Sequence, residues 1–146
     1  MRAVIFDLNR TLYDPIGDEL YPGVRQMLED LRGKTRLFIY SKRTGDRSGL
    51  MKRLQLGEHF EACYFHEHKT PENLSVLLTD HALTPQSCIV VGDLVDSELR
   101  AAGELGIETV WARHGIEPIE LPPETHMPTY SADTMADLHK LLLVLI

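Results

Sequence analysis

Hydrophobic positions along this chain fall into short solid runs that alternate with segments of helical spacing. Ala3–Phe6 is a solid run ending at an acid, the pattern of a buried strand. Over Pro22–Leu31, Val24, Met27, Leu28 and Leu31 recur at helical intervals, with Pro22 suited to the first helical position and Gly33 to the stop. Arg36–Tyr40 is the next strand. Asp46 then caps a helix carrying Leu50, Met51 and Leu54, closed by Gly57. Ala62–Phe65 is a third strand, and Thr70-Pro71 opens a helix with Leu74, Leu77, Leu78 and His81 on one face. Cys88–Val91 is wholly apolar, as a strand covered on both faces must be. Asp96–Leu105 reads as a helix stopped by Gly106, Ile107–Trp111 as a strand, and His114–Pro128, with its four prolines, as loop. Thr129–Ser131 reads as a short edge strand. Met135–Leu145 closes the chain as a helix, with Met135, Leu138, Leu141, Leu142 and Leu145 inward.

Strands alternating with helices predict an α/β fold with a mainly parallel sheet. In such a sheet ligands bind beyond the carboxyl ends of the strands. The residues able to do chemistry follow strands here: Asp7 the first, Ser41 the second, Lys69 the third and Asp93 the fourth.

Length and composition narrow the picture. The 146 residues suit a single domain spanning 1–146, and 25% charged with 43% hydrophobic residues is ordinary for a globular protein. A net charge of -7 argues against nucleic acid as partner, because a polyanion is met by clustered Lys and Arg. The longest apolar run, Leu141–Ile146, falls far short of the roughly 20 residues of a membrane span. Two cysteines, Cys63 and Cys88, make neither a disulfide framework nor a zinc set, so a cytoplasmic setting is expected.

Asp7 opens a tight polar turn, Asp7-Leu8-Asn9-Arg10-Thr11, and its carboxylate can attack an electrophilic phosphorus. Thr11 can hold the other carboxylate oxygen, a neighbouring acid or the phosphate. Ser41 can grip a phosphate oxygen, and Lys69 supplies the positive charge that lets two anions approach. Gly92-Asp93-Leu94-Val95-Asp96-Ser97-Glu98 offers hard oxygen ligands suited to Mg²⁺. Lys42, Arg43 and Arg47 are candidate contacts for an anionic substrate, with a solvated loop as the rival reading. His66-Glu67-His68 lacks further spaced ligands and reads as solvated loop, and Trp111 as packing.

These motifs resemble the haloacid dehalogenase-like hydrolase superfamily. Asp7-Leu8-Asn9-Arg10-Thr11 is similar to its first motif, usually Asp-x-Asp-Gly-Thr; Ser41 to its second; Lys69 to its third; and Val90-Val91-Gly92-Asp93 with Asp96 and Glu98 to its fourth. The resemblance implies a three-layer α/β/α Rossmann-like domain and a Mg²⁺-dependent phosphatase that forms an aspartyl-phosphate on Asp7. It implies that Asp7, the Asn9 carbonyl and Asp93 hold the metal, and that Ser41 and Lys69 hold the phosphoryl group. Glu98 or Asp96 supports the site, through water or Lys69.

Two positions depart from the pattern. Asn9 replaces the aspartate that normally protonates the leaving group and activates water, and an amide cannot cycle a proton. Arg10 replaces glycine, adding charge at the mouth or projecting to solvent. Only about thirty residues separate the first two motifs, and fewer than thirty the second and third, which leaves no room for a cap domain. The expected partner is thus a phosphorylated substrate, macromolecular, or small with a partner subunit of a homo-oligomer as lid. The competing expectation is a weak or inactive member that binds a phosphorylated ligand or a protein. A response-regulator receiver uses similar groups, but its phosphorylated Asp follows the third strand, not the first.

Overall fold

A computed structural model describes residues 1–115 and 127–146. Six parallel strands form the main sheet: β1 (Ala3–Phe6), β4 (Arg36–Lys42), β5 (Ala62–His66), β6 (Cys88–Gly92), β7 (Glu108–Ala112) and β8 (Tyr130–Ala132). Their order is β5-β4-β1-β6-β7-β8. β1 is central, its residues in register with Arg36–Ile39 on one side and Cys88–Val91 on the other. The chain winds outward from β1 to β5, returns to β6 and winds out the other way. That reversal opens a crevice at the carboxyl ends of β1 and its neighbours.

Two apolar layers follow from strand alternation. Val4, Phe6, Ile39 and Val91 face α1 (Val24–Leu31), α2 (Arg47–Arg53) and α5 (Met135–Leu145). Ala3, Ile5, Phe38 and Val90 face α3 (Pro71–Asp80) and α4 (Arg100–Glu104). This is the three-layer Rossmann-like arrangement. Both faces of the inner strands are covered, which is why β6 is apolar at every position. Among the described residues no helix is long and apolar enough to cross a membrane.

The predicted elements are present, with local differences: β7 runs one residue later than expected, β4 runs on to Lys42 and β5 to His66, and others are larger. α1 starts at Val24 rather than Pro22, because Gly23 takes a left-handed backbone (φ +93°) that no helix interior accommodates. A small antiparallel hairpin, β2 (Tyr13–Asp14) with β3 (Glu19–Leu20), sits between β1 and α1 and was not anticipated. Its strands are too short to show a period. The helix expected over Asp96–Leu105 is broken: Val95–Leu99 makes a wide π-type turn with Ser97 off helical backbone, and α4 begins only at Arg100. The edge strand is Tyr130–Ala132, one residue later than expected. Most of the proline-rich loop expected over His114–Pro128 lies outside the described residues.

Candidate active site

Asp7 leaves β1 where its amide still bonds to the Val91 carbonyl of β6 at 2.9 Å, so the strand pairing itself fixes the start of the turn. Three donors converge on its Oδ1: the Leu8 amide at 2.8 Å, Lys69 Nζ at 3.0 Å and Ser41 Oγ at 3.2 Å. Lys69 also donates to Glu98 Oε2 at 2.9 Å. Glu98 in turn accepts from the Asp93 and Leu94 amides through Oε1, at 3.0 and 3.2 Å. The wide turn over Val95–Leu99 is what folds Glu98 back onto the end of β6. Gly92 leaves room for it; a Cβ there would lie 2.1 Å from Glu98 Oε1.

Asp7, Asp93 and Glu98 are 3%, 1% and 0% exposed, and each offers an oxygen within 4.8 Å of the others. Among the described residues no other trio of acids, histidines and cysteines converges in this way. Burial pushes Asp7 up to about 6 against the pull of Lys69, and Glu98 up to about 7, with the charge of Asp7 adding to the rise. Asp93 is raised by burial, with the Arg10 charge pulling the other way. Lys69 is pulled down by burial, but Asp7 and Glu98 outweigh that and leave it raised. Desolvated acids held this close repel one another, and protons or nearby cations relieve the repulsion; Lys69 lies against Asp7 and Glu98, and Arg10 against Asp93.

The sequence candidates separate by geometry. Asp7, Ser41, Lys69, Asp93 and Glu98 meet. Glu98 is the buried acid that binds Lys69, whereas Asp96 is exposed at the rim of a cleft of about 340 Å³ bounded also by Asp7, Asn9, Arg10, Lys42 and Lys69. Thr11 does not join them. Leu12 and Tyr13 both donate their amides to the Leu8 carbonyl, winding the turn tightly, and Thr11 Oγ1 is buried without a partner among the described residues. Thr11 Oγ1 bonds neither to Asp7 nor to a neighbouring acid. Arg43 turns away to the Phe65 carbonyl. His66 lies in β5 beside Tyr64, at 6.4 Å between ring centres, rather than in a loop.

Several contacts were not foreseen. Arg47 Nη1 donates to the Asn9 side-chain oxygen at 3.3 Å. Arg10 Nε donates to Asp93 Oδ2 at 2.7 Å. Trp111 is buried as expected, yet its indole N–H also bonds to the Asp93 carbonyl at 3.0 Å. His114 bonds to the Thr11 carbonyl at 2.8 Å. These join residues far apart in sequence, and only the odd residue type at position 10 signalled one of them.

The sequence family described as haloacid dehalogenase-like hydrolase matches residues 17–112, about two thirds of the chain. The chain belongs to this family. The matched stretch holds Ser41, Lys69, Asp93 and Glu98 and begins after Asp7. No curated protein matches this hydrolase in sequence. Solved structures similar to it include a haloacid dehalogenase-like hydrolase from Streptococcus pneumoniae, at 17% identity and TM-score 0.81, covering 100% of this chain and 99% of that one. A 2-haloacid dehalogenase from Pseudomonas syringae pv. Tomato DC3000 matches at 14% identity and TM-score 0.83, over all of both chains. A phosphatase of the family from Thermococcus onnurineus matches at 17% identity and TM-score 0.78, over 97% of this chain and 98% of that one. At these identities the likeness establishes the fold of the hydrolase and leaves its substrate to the site.

Proposed function

We propose that this hydrolase is a Mg²⁺-dependent phosphohydrolase that forms an aspartyl-phosphate on Asp7, slowed by Asn9. The observation that carries the reading is the Asp7 carboxylate, buried at a strand end and bonded to both Ser41 and Lys69. Asp93 Oδ1 is buried with no partner among the described residues, and the acids supply hard oxygens, so the site fits a divalent cation. Asp7, the Asn9 carbonyl and Asp93 would hold Mg²⁺, which when bound neutralises nucleophile and phosphate alike. Both Glu98 oxygens already accept hydrogen bonds, Oε1 from the Asp93 and Leu94 amides and Oε2 from Lys69, and Glu98 acts by holding Lys69.

Asp7 attacks phosphorus, the bond to the leaving oxygen breaks, and that oxygen takes its proton from solvent. Water then attacks the phosphorus, releasing inorganic phosphate and the Asp7 carboxylate, and its proton returns to solvent. Lys69 and Ser41 offset the charge of the transferring group in both steps. The span between β1 and α1 carries only the β2–β3 hairpin, which supports an open mouth and a bulky or macromolecular phosphorylated substrate.

The test is turnover of an aryl phosphate with and without Mg²⁺. Wild type is slow and Mg²⁺-dependent, and Asp7→Asn is dead. General acid–base catalysis is worth about 10²–10⁴-fold, and Asn9→Asp recovers the lower part of that range, because Arg47 holds the new carboxylate ionised. The Arg47–Asn9 bond also favours a second reading, a weak or inactive member that binds a phosphorylated ligand or a protein. Absence of turnover in both wild type and Asn9→Asp, with phosphate still bound, selects it.

A further inference from the structure

Arg10 occupies a backbone conformation that costs it strain. Its φ is +59°, in the left-handed region where glycine or asparagine sits more easily. The side chain lies against the most buried charges of the molecule: Nε donates to Asp93 Oδ2 at 2.7 Å, and the Asp93 side chain is wholly buried. The Arg10 side chain is 44% exposed and bounds the cleft beside Asp7. Its Nη1 and Nη2 have no partner among the described residues. The two oxygens of Asp93 are therefore divided. Oδ2 faces the guanidinium, while Oδ1 is buried and unpartnered.

We propose that Arg10 is a built-in second cation of the site, which shares Asp93 with the divalent ion and offers Nη1 and Nη2 to the substrate phosphate. This rests on the reading that Asp7 and Asp93, with the Asn9 carbonyl, take a divalent cation. With all three acids ionised, Lys69 and Arg10 set two positive charges against three carboxylates, and the site lacks one positive charge before a metal arrives. With a divalent ion it carries one positive charge in excess, ready for an oxyanion. Without Arg10 the loaded site would be neutral. Arg10 thus weakens the hold on metal, because like charges on one carboxylate repel, and strengthens the hold on phosphate. A guanidinium tethered through Nε keeps the planar pair of donors that matches two oxygens of a phosphate, which an ammonium cannot do.

The two effects have opposite signs, and that separates the proposal from a loop clamp. Calorimetric titrations of the full chain use Mg²⁺ alone, then inorganic phosphate in saturating Mg²⁺. Arg10→Asn suits the left-handed backbone and removes the charge. It binds Mg²⁺ roughly ten-fold more tightly and phosphate roughly ten-fold more weakly than wild type, the scale of one close charge in a partly screened site. Arg10→Lys keeps the charge without the fork, so its Mg²⁺ affinity stays near wild type while phosphate weakens. A clamp gives losses of both ligands in Arg10→Asn, and that result overturns the proposal, as does any pattern in which the two affinities do not move apart. If wild type binds neither Mg²⁺ nor phosphate, the divalent-ion reading itself falls, and this one with it.

Discussion

Among single residues, the buried acids have the sharpest solution consequence. Asp7 at about 6 and Glu98 at about 7 titrate above the ordinary carboxylate range near 4, and Asp93 is raised as well. Between those values and about pH 4 the folded protein holds protons that the unfolded chain has released. Their stabilising contribution is full below about pH 4 and is lost as pH rises through 6 and 7. His114, lowered by burial, works the other way, as one group against three. The metal-free protein, kept so with a chelator, melts at a lower temperature at pH 8 than at pH 5. Equal melting at both would contradict the burial of these acids as ionisable groups. The residue types at 7, 41, 69, 93 and 98 were legible because each follows a strand or belongs to a motif. The bonds of Arg10 to Asp93 and of Arg47 to Asn9 were not, since no periodicity links positions so far apart.

The elements show which local rules governed. α3 and α5 were readable to within a residue: Thr70 accepts from the Asn73 amide and Thr134 from the Asp137 amide, so caps and apolar faces agree. The stretch after β6 misled because its acids look like helix starters, whereas Glu98 folds back to a strand end and forces the wide turn. Gly92 is the hinge of that arrangement. Gly92→Ala puts a methyl group where the Glu98 carboxylate lies and costs about 1–3 kcal/mol in urea unfolding, with activity lost alongside. Gly103 in α4 is the control, because a Cβ there meets nothing within 4 Å. Gly103→Ala is neutral or stabilises by up to about 1 kcal/mol. If the two substitutions cost the same, the packing of Glu98 against Gly92 is not what shapes the turn.

For the whole molecule, the strand order matters most. The reversal of winding at β1 brings Asp7 and Asp93 together from chain positions more than eighty residues apart, just past the ends of the neighbouring strands β1 and β6. A ligand joining them couples the two halves of the sheet. Mg²⁺ at a hundred times its dissociation constant therefore adds about 2.7 kcal/mol to unfolding, read as a rise in melting temperature. Asp93→Asn abolishes the rise, and a full rise in that variant would place the ion elsewhere.

The chain has a single tryptophan, and its indole N–H is bonded to the carbonyl of Asp93 while the Arg113 guanidinium stands 4.7 Å over the ring. Nature has thus wired a fluorophore to the candidate metal ligand. Its ultraviolet emission registers movement of the Asp93 main chain, whose side chain is the proposed ligand, so a plain optical titration follows loading of the centre without dye, label or substrate.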